Sequence, residues 1–157
     1  MKMTTGLVMG KFMPFHKGHI ALIEFGLTKV DHLIVLIVTK KDEEIPVEVR
    51  EKWLQSHYKD QAVTVEIFRH DLPHDGGFGE EDMLKWCEAI ASRYPDIDAF
   101  ISSEAHGDFL ANYMGIEHIS YEPDRCSLPI SATEIRKNPK EYGEYLTEEV
   151  KAYYGFS

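Results

Sequence analysis

Cysteine is nearly absent from this chain: only Cys87 and Cys126 occur, far apart and in no CxxC pair. That excludes a disulfide framework and fits a reducing compartment, with both thiols expected as small buried apolar residues. Long hydrophobic runs are missing too, and none approaches the roughly 20 residues that a membrane-spanning helix needs. Near the N-terminus Leu7, Val8 and Met9 run straight into Gly10 and Lys11, so no signal-peptide core develops. A cytoplasmic protein without membrane association is the expectation. Positive charge is also scarce. A net charge of −10 argues against a general nucleic-acid binder, which would present a basic face. Two phosphate-binding patterns are absent as well: no GxGxxG follows the first apolar run, and no GxxxxGK[ST] occurs anywhere.

What remains is a chain of 157 residues, suited to one domain with a single sizeable core. Its few cations are gathered locally. Lys11, His16, Lys17 and His19 lie near one end, and Arg136 with Lys137 near the other. The acidic runs at 42–44, 80–82 and 141–149 read as solvated surface.

Apolar runs alternate with segments of helical period. Residues 5–9 form a short apolar strand ending at Gly10. Ile20, Ile23, Leu27 and Val30 recur at helical spacing, predicting a helix from about Gly18. Residues 32–39 (HLIVLIVT) have the composition of a strand buried on both faces of a parallel sheet. Pro46 suits the first turn of a second helix, whose face is Val49, Trp53 and Leu54. Residues 63–68 predict a third strand, and 70–79, rich in Gly, Asp and Pro, a loop. A third helix follows with the face Met83, Cys87, Ile90 and Tyr94. Then come a strand at 97–101, a helix closing at 109–114, a strand at 116–121, a short helix at 131–137 and a polar helical tail over 139–157. This β-α-β-α order implies an α/β fold: a Rossmann-like, doubly wound, five-stranded parallel sheet with a C-terminal helical tail. A ligand is expected at the carboxyl ends of the strands, at the switch point between the halves.

The first strand runs into GKFMPFHKGH, residues 10–19. Gly10 would permit a sharp turn where a phosphate approaches, and Pro14 would stiffen the loop. His16 and His19 are three apart where the loop becomes a helix, a spacing that shares one helix face. A helix start adds backbone N–H groups and a positive dipole end, a natural anion site. A metal site is the weaker reading, because two ligands are too few and no carboxylate or cysteine stands at a matching spacing. A histidine standing alone is by default structural. Glycine, proline and two histidines together, directly after a first strand, favour phosphate chemistry.

This segment resembles the HxGH signature of the nucleotidylyltransferase superfamily. Residues 130–136, ISATEIR, are similar to that family's second signature, ISxTxxR, and fall after the last strand as they do there. The likeness narrows further. GKFMPFHKGH, REKW at 50–53, the Gly/Asp loop before Trp86, SSEAHGDFLA at 102–111 and DRCSLPISATEIR at 124–136 together resemble one domain. It is the nicotinamide mononucleotide adenylyltransferase domain of the bacterial NadR type, with archaeal stand-alone enzymes as cousins, and the likeness covers nearly the whole chain. The proteins of that type usually carry a P-loop kinase domain and a DNA-binding helix-turn-helix as well. This chain shows neither, so ribosylnicotinamide kinase and repressor functions are not expected of it.

The resemblance implies adenylyl transfer from ATP to nicotinamide mononucleotide, giving NAD and pyrophosphate. The attacking phosphate is already anionic, so catalysis rests on positioning and charge stabilisation rather than on a protein nucleophile. It implies His16 and His19 on the ATP phosphates and Lys11 and Arg136 on the triphosphate and leaving pyrophosphate. Gly10, Phe12, Met13 and Gly18 would lie beside the nucleotide. Ser131, expected to cap the short helix, and Thr133 would bind phosphate. Ser103 and Glu104, past the fourth strand, fit either an adenine or ribose contact or a simple helix cap. Arg50 fits a nicotinamide mononucleotide contact or an exposed helix arginine. Trp86, at the edge of its helix's apolar face, fits a wall of the nicotinamide pocket or the margin of the core. Mg²⁺ is implied by the triphosphate, held mainly by phosphate and water, with no dedicated protein metal site; Asp71 and Asp75 read better as solvated. Other transferases of the same fold, using pantetheine phosphate or CTP, and a catalytically silent nucleotide-binding module remain the alternatives. A homo-oligomer is compatible with the sequence.

Overall fold

The computed structural model describes residues 4–40, 43–69, 80–102, 106–121 and 132–156, with 80–83, 106–108 and 132–133 described by backbone alone. The chain runs β1 (Thr5–Gly10), α1 (Lys17–Leu27), β2 (His32–Thr39), α2 (Val47–His57), β3 (Val63–Arg69), α3 (Glu80–Arg93), β4 (Ala99–Ser102), α4 (His106–Met114), β5 (Glu117–Ser120) and α5 (Ala132–Lys137). A 3₁₀ turn at Gly143–Tyr145 and α6 (Glu148–Tyr153) follow. The five strands form one parallel sheet in the order β3-β2-β1-β4-β5. The order reverses between β1 and β4, so the carboxyl end of β1 opens at the switch point where such sheets bind ligands.

The period of two along the strands builds the two halves of the core. Val8, Val35 and Ile37 face one layer with Ile23, Trp53 and Leu54. Leu7, Leu36 and Val38 face the other with Cys87, Ile90, Tyr94 and Leu110. The continuous apolar run of β2 is therefore buried on both sides, as its composition demands. Cys87 is a buried free thiol; Cys126 lies outside the described residues. The acidic side chains of the tail at 141, 144, 148 and 149 are exposed, while Leu146 and Val150 join the first core layer. Thr147 caps α6 by accepting from the Val150 N–H at 3.3 Å, and Tyr153 meets the Trp53 ring edge-on.

Element boundaries shift from the sequence expectation for local reasons. The Asp98 carboxylate takes the Thr5 N–H at 2.8 Å, so β4 pairs only from Ala99. Gly115, in the left-handed region at φ +70°, ends α4, and the Ile116 N–H bonds back to the Ala111 carbonyl, so β5 starts at Glu117. Pro46 stands one residue ahead of α2 rather than within its first turn, because its ψ of 139° is extended.

Candidate active site

The site is built where β1 ends. The sharp turn expected at Gly10 falls instead on Phe12, whose φ is 53°. Gly10 serves differently: a Cβ there would stand 3.3 Å from the Phe12 ring, so the missing side chain makes room for that aromatic. Phe12, Met13 and Phe15 are buried and belong to the first core layer, which anchors the loop from below.

His16 and His19 come together, though not as neighbours on one helix face. His16 is the N-cap of α1, with an extended backbone, and His19 is the third helical residue. The His16 Nδ1 accepts from the Gly18 N–H at 3.0 Å, and the His19 Nδ1 accepts from the His16 N–H at 3.2 Å. This is a capping box with imidazoles in place of the usual hydroxyl and carboxyl. The rings stack with centroids 3.9 Å apart, and Phe12 packs against His19 at 4.7 Å. Gly18 is required by this closeness, since a Cβ there would stand 2.7 Å from the His16 Cε1.

The cap has a chemical consequence. Two of the backbone N–H groups at the helix start, those of His16 and Gly18, are taken by the rings. Each Nδ1 being an acceptor, the neutral ring carries its proton on Nε2, which becomes the donor. Burial pushes the pKa of His16 down to about 4. Burial first, and then the neighbouring His16, hold His19 well below its ordinary value. Both imidazoles are neutral near pH 7, and an anion arriving at Nε2 would pull them back toward the charged form.

Lys11, the first residue after β1, pairs with Glu43, Nζ to Oε2 at 3.2 Å. Glu43 corrects the reading of residues 42–44 as mere solvated surface: its side chain is only 10% exposed. Burial opposes its charge. Hydrogen bonds from Thr39 and the Lys40 backbone, with the Lys11 ammonium, outweigh that and hold its pKa at about 2. Arg50 lies inside the protein, at 1% exposure. Its Nε donates to the Ile45 carbonyl, Nη1 to the Lys11 carbonyl, and Nη2 to Thr39 and Glu43. The guanidinium is thus turned toward the loops it joins, which corrects the reading of an exposed helix arginine.

Arg136 crosses from α5 to the first loop. Its Nη1 donates to the Met13 carbonyl, and its Nε pairs with Glu44 at 3.4 Å. The two signature segments, 123 residues apart at this contact, therefore meet in space. Lys11 and Arg136 are thus each paired with a carboxylate, from consecutive residues of one loop. Trp86 is half-buried at the margin of the second core layer, edge-on to Phe68 near the carboxyl end of β3, with ring centroids 6.0 Å apart. Ser103, Glu104 and Ser131 lie outside the described residues, as do Asp71 and Asp75. Thr133 falls in the first turn of α5, described by its backbone alone. Among the described residues no cluster of three or more His, Cys, Asp or Glu could hold a metal ion.

Comparisons with known proteins bear on the family and the fold. The Escherichia coli K12 protein named trifunctional NAD biosynthesis/regulator protein NadR is 31% identical over 170 residues, covering 98% of this chain and 41% of its own length. A nicotinamide-nucleotide adenylyltransferase of Saccharolobus solfataricus is 42% identical over 40 residues, 26% of this chain and 23% of the relative. A crystal structure of NadR protein in complex with NAD and AMP-PNP superposes with a TM-score of 0.69 at 19% identity, covering 96% of this chain and 46% of that one. The chain thus spans less than half the length of the NadR proteins it resembles, and the structural match speaks for the fold. The family model described as cytidylyltransferase-like matches residues 7–138, from β1 through the second signature on α5. Sheet order, capped histidine pair and Arg136 bridge all fall within that span, and the chain belongs to the cytidylyltransferase-like family.

Proposed function

We propose that this protein transfers the adenylyl group of ATP to nicotinamide mononucleotide, releasing pyrophosphate and forming NAD. The observation that carries the reading is the reciprocal cap of His16 and His19, which leaves Nε2 as the donor of two neutral rings at the end of the loop that begins with Lys11 and that Arg136 meets at the Met13 carbonyl. In the reaction a phosphate oxygen of the mononucleotide attacks the α-phosphorus of ATP in line. One P–O bond forms as the bond to the β-phosphate oxygen breaks, and pyrophosphate departs with the electron pair. No proton needs to move to start this step, so a site of donors and cations with no general base suits it.

His19 would donate to the α-phosphate and His16 to the adjacent phosphates. Lys11 and Arg136 would take up charge on the departing pyrophosphate. Thr133 and Ser131 would complete the phosphate cradle at the start of α5, and Ser103 with Glu104 the adenosine end. Trp86 would face the nicotinamide ring, where a flat cation gains from an aromatic face. The residues fit a Mg²⁺ carried in on the nucleotide, since Glu43 and Glu44 are already committed to cations. Bound through phosphate oxygens and water, it would supply further charge neutralisation.

The test is pyrophosphate release by purified protein with Mg-ATP or Mg-CTP against a panel of acceptors: nicotinamide and nicotinate mononucleotides, pantetheine phosphate and alcohol phosphates. NAD formed from ATP and nicotinamide mononucleotide, at a kcat/KM far above the other pairs, is expected. Turnover confined to pantetheine phosphate or to CTP, or no turnover at all, would overturn the reading.

A further inference from the structure

We propose that Glu43 and Arg50 form a positioning ring that holds Lys11 at both its main chain and its ammonium, so that Glu43 acts in the transfer reaction through Lys11. The inference rests on the proposed role of Lys11 at the triphosphate. Three contacts close the ring. Arg50 Nη1 donates to the Lys11 carbonyl at 3.1 Å. Arg50 Nη2 reaches the Glu43 Oε1 at 3.2 Å. The other carboxylate oxygen, Oε2, meets the Lys11 Nζ at 3.2 Å.

The division of labour within Glu43 is what makes it a positioning group. Oε1 faces inward, toward Arg50 and the Thr39 hydroxyl, which donates to it at 2.8 Å. That side anchors the carboxylate in the protein. Oε2 alone addresses the ammonium, whose side chain is 34% exposed and open to a ligand. A lysine on a four-carbon stem otherwise samples many rotamers and arrives at a phosphate as a mobile point charge. Here its root is fixed by Arg50 and its tip by a carboxylate that Arg50 also fixes. The parallel pairing of β1 with β2, Gly10 opposite Ile37, makes this arrangement, because it brings the exits of the two strands side by side.

Glu43 could instead be a structural partner for the buried Arg50, or a counter-ion that competes with the triphosphate. A double-mutant cycle separates these readings. In wild-type background, Glu43→Gln is expected to lower kcat/KM for ATP about tenfold, with KM for nicotinamide mononucleotide unchanged, as for loss of one charge-assisted contact. In a Lys11→Met background the same change should alter kcat/KM for ATP by less than about twofold, because its target is gone. Glu43→Asp should retain part of the activity that Gln loses. Should Glu43→Gln fail to fold, Glu43→Asp carries the cycle in its place. An equal loss in both backgrounds would mean that Glu43 acts through the fold, and a gain in ATP affinity on Glu43→Gln would mean that it competes. Either result overturns the proposal. If the wild-type protein makes no NAD, the reading of function fails, and the cycle is then read in Mg-ATP dissociation constants by calorimetry, where additivity would overturn the ring by itself.

Discussion

Two consecutive glutamates hold the two cations of this site, and they do so in opposite surroundings. Glu43 is 10% exposed and shares a buried Arg50 with the Lys11 it grips. Glu44, the next residue, is 65% exposed, and its contact with Arg136 lies at the surface of a six-residue helix. The Lys11 corner is therefore rigid and costly to break. At the Arg136 corner the Glu44 carboxylate stands largely in water and the guanidinium also donates to the Met13 carbonyl, so this ion pair is cheap to alter. The difference shows that ion pairs one residue apart can serve different ends, according to what stands behind each carboxylate.

The sharpest way to break the comparison is at Arg50. Arg50→Met leaves Glu43 with its carboxylate half-buried and the Lys11 carbonyl without its donor. A loss on the order of 3 kcal/mol in unfolding free energy is expected, as for removing one partner of a buried pair, and urea denaturation measures it. A loss below about 1 kcal/mol would place the Lys11 corner in the same class as the surface pair. Next comes His19→Ala, which removes a preorganised donor from the α-phosphate and should lower kcat by roughly 10²-fold or more. Single-turnover kinetics read this directly, and wild-type turnover would sink the role given to His19.

His16→Asn divides the histidine's two tasks. Asparagine is a good N-cap, so α1 should keep its stability to within about 1 kcal/mol. The Nε2 donor is lost, and turnover should fall on the order of tenfold, the equivalent of one neutral hydrogen bond. The same variant tests the pH profile. The folded state holds His16 at about 4, against 6.5 ordinarily. Its contribution to stability is thus complete above about pH 6.5 and is lost as pH falls toward 4, because the unfolded chain then binds the proton that the folded state refuses. His16→Asn should make the stability curve shallower across that window, with His19 keeping its own share, and an unchanged slope would assign it to other groups. Glu43, held at about 2, adds a further loss only below about pH 4.5. The smallest effect is expected of Glu44→Gln. Stability should stay within about 0.5 kcal/mol and ATP affinity within about twofold, because the Met13 carbonyl still holds Arg136. A loss comparable to that of Arg50→Met would erase the contrast between the two corners.

Much of this was legible along the chain, and the exceptions have a common cause. The strands were found because burial imposes a period on apolar residues, and β2 announced burial on both faces through composition alone. The histidine pair was legible because its cap spans four consecutive residues. Its geometry was only half legible: spacing suggested one helix face, whereas the N-cap position of His16 makes the rings stack and hands the donor role to Nε2. Glu43 looked like its neighbours in an acidic run, and Arg50 fitted either a ligand contact or a charge on a helix surface, where charged residues almost always lie. No local pattern separates a glutamate facing water from one facing a buried guanidinium.

The sequence by itself determined the element order and the two signature segments, because each depends on residues within a turn or two of one another, and the alternation of strands with helices then implied a parallel sheet. The tertiary structure alone decided which of the charged side chains meet. Lys11 reaches Glu43 and Arg50 only because β1 and β2 lie side by side with their exits aligned. Arg136 reaches the Met13 carbonyl only because α5 is brought back across the end of β1. Charge pairing falls steeply with distance and with exposure to water, so its worth is set by packing that no stretch of sequence contains.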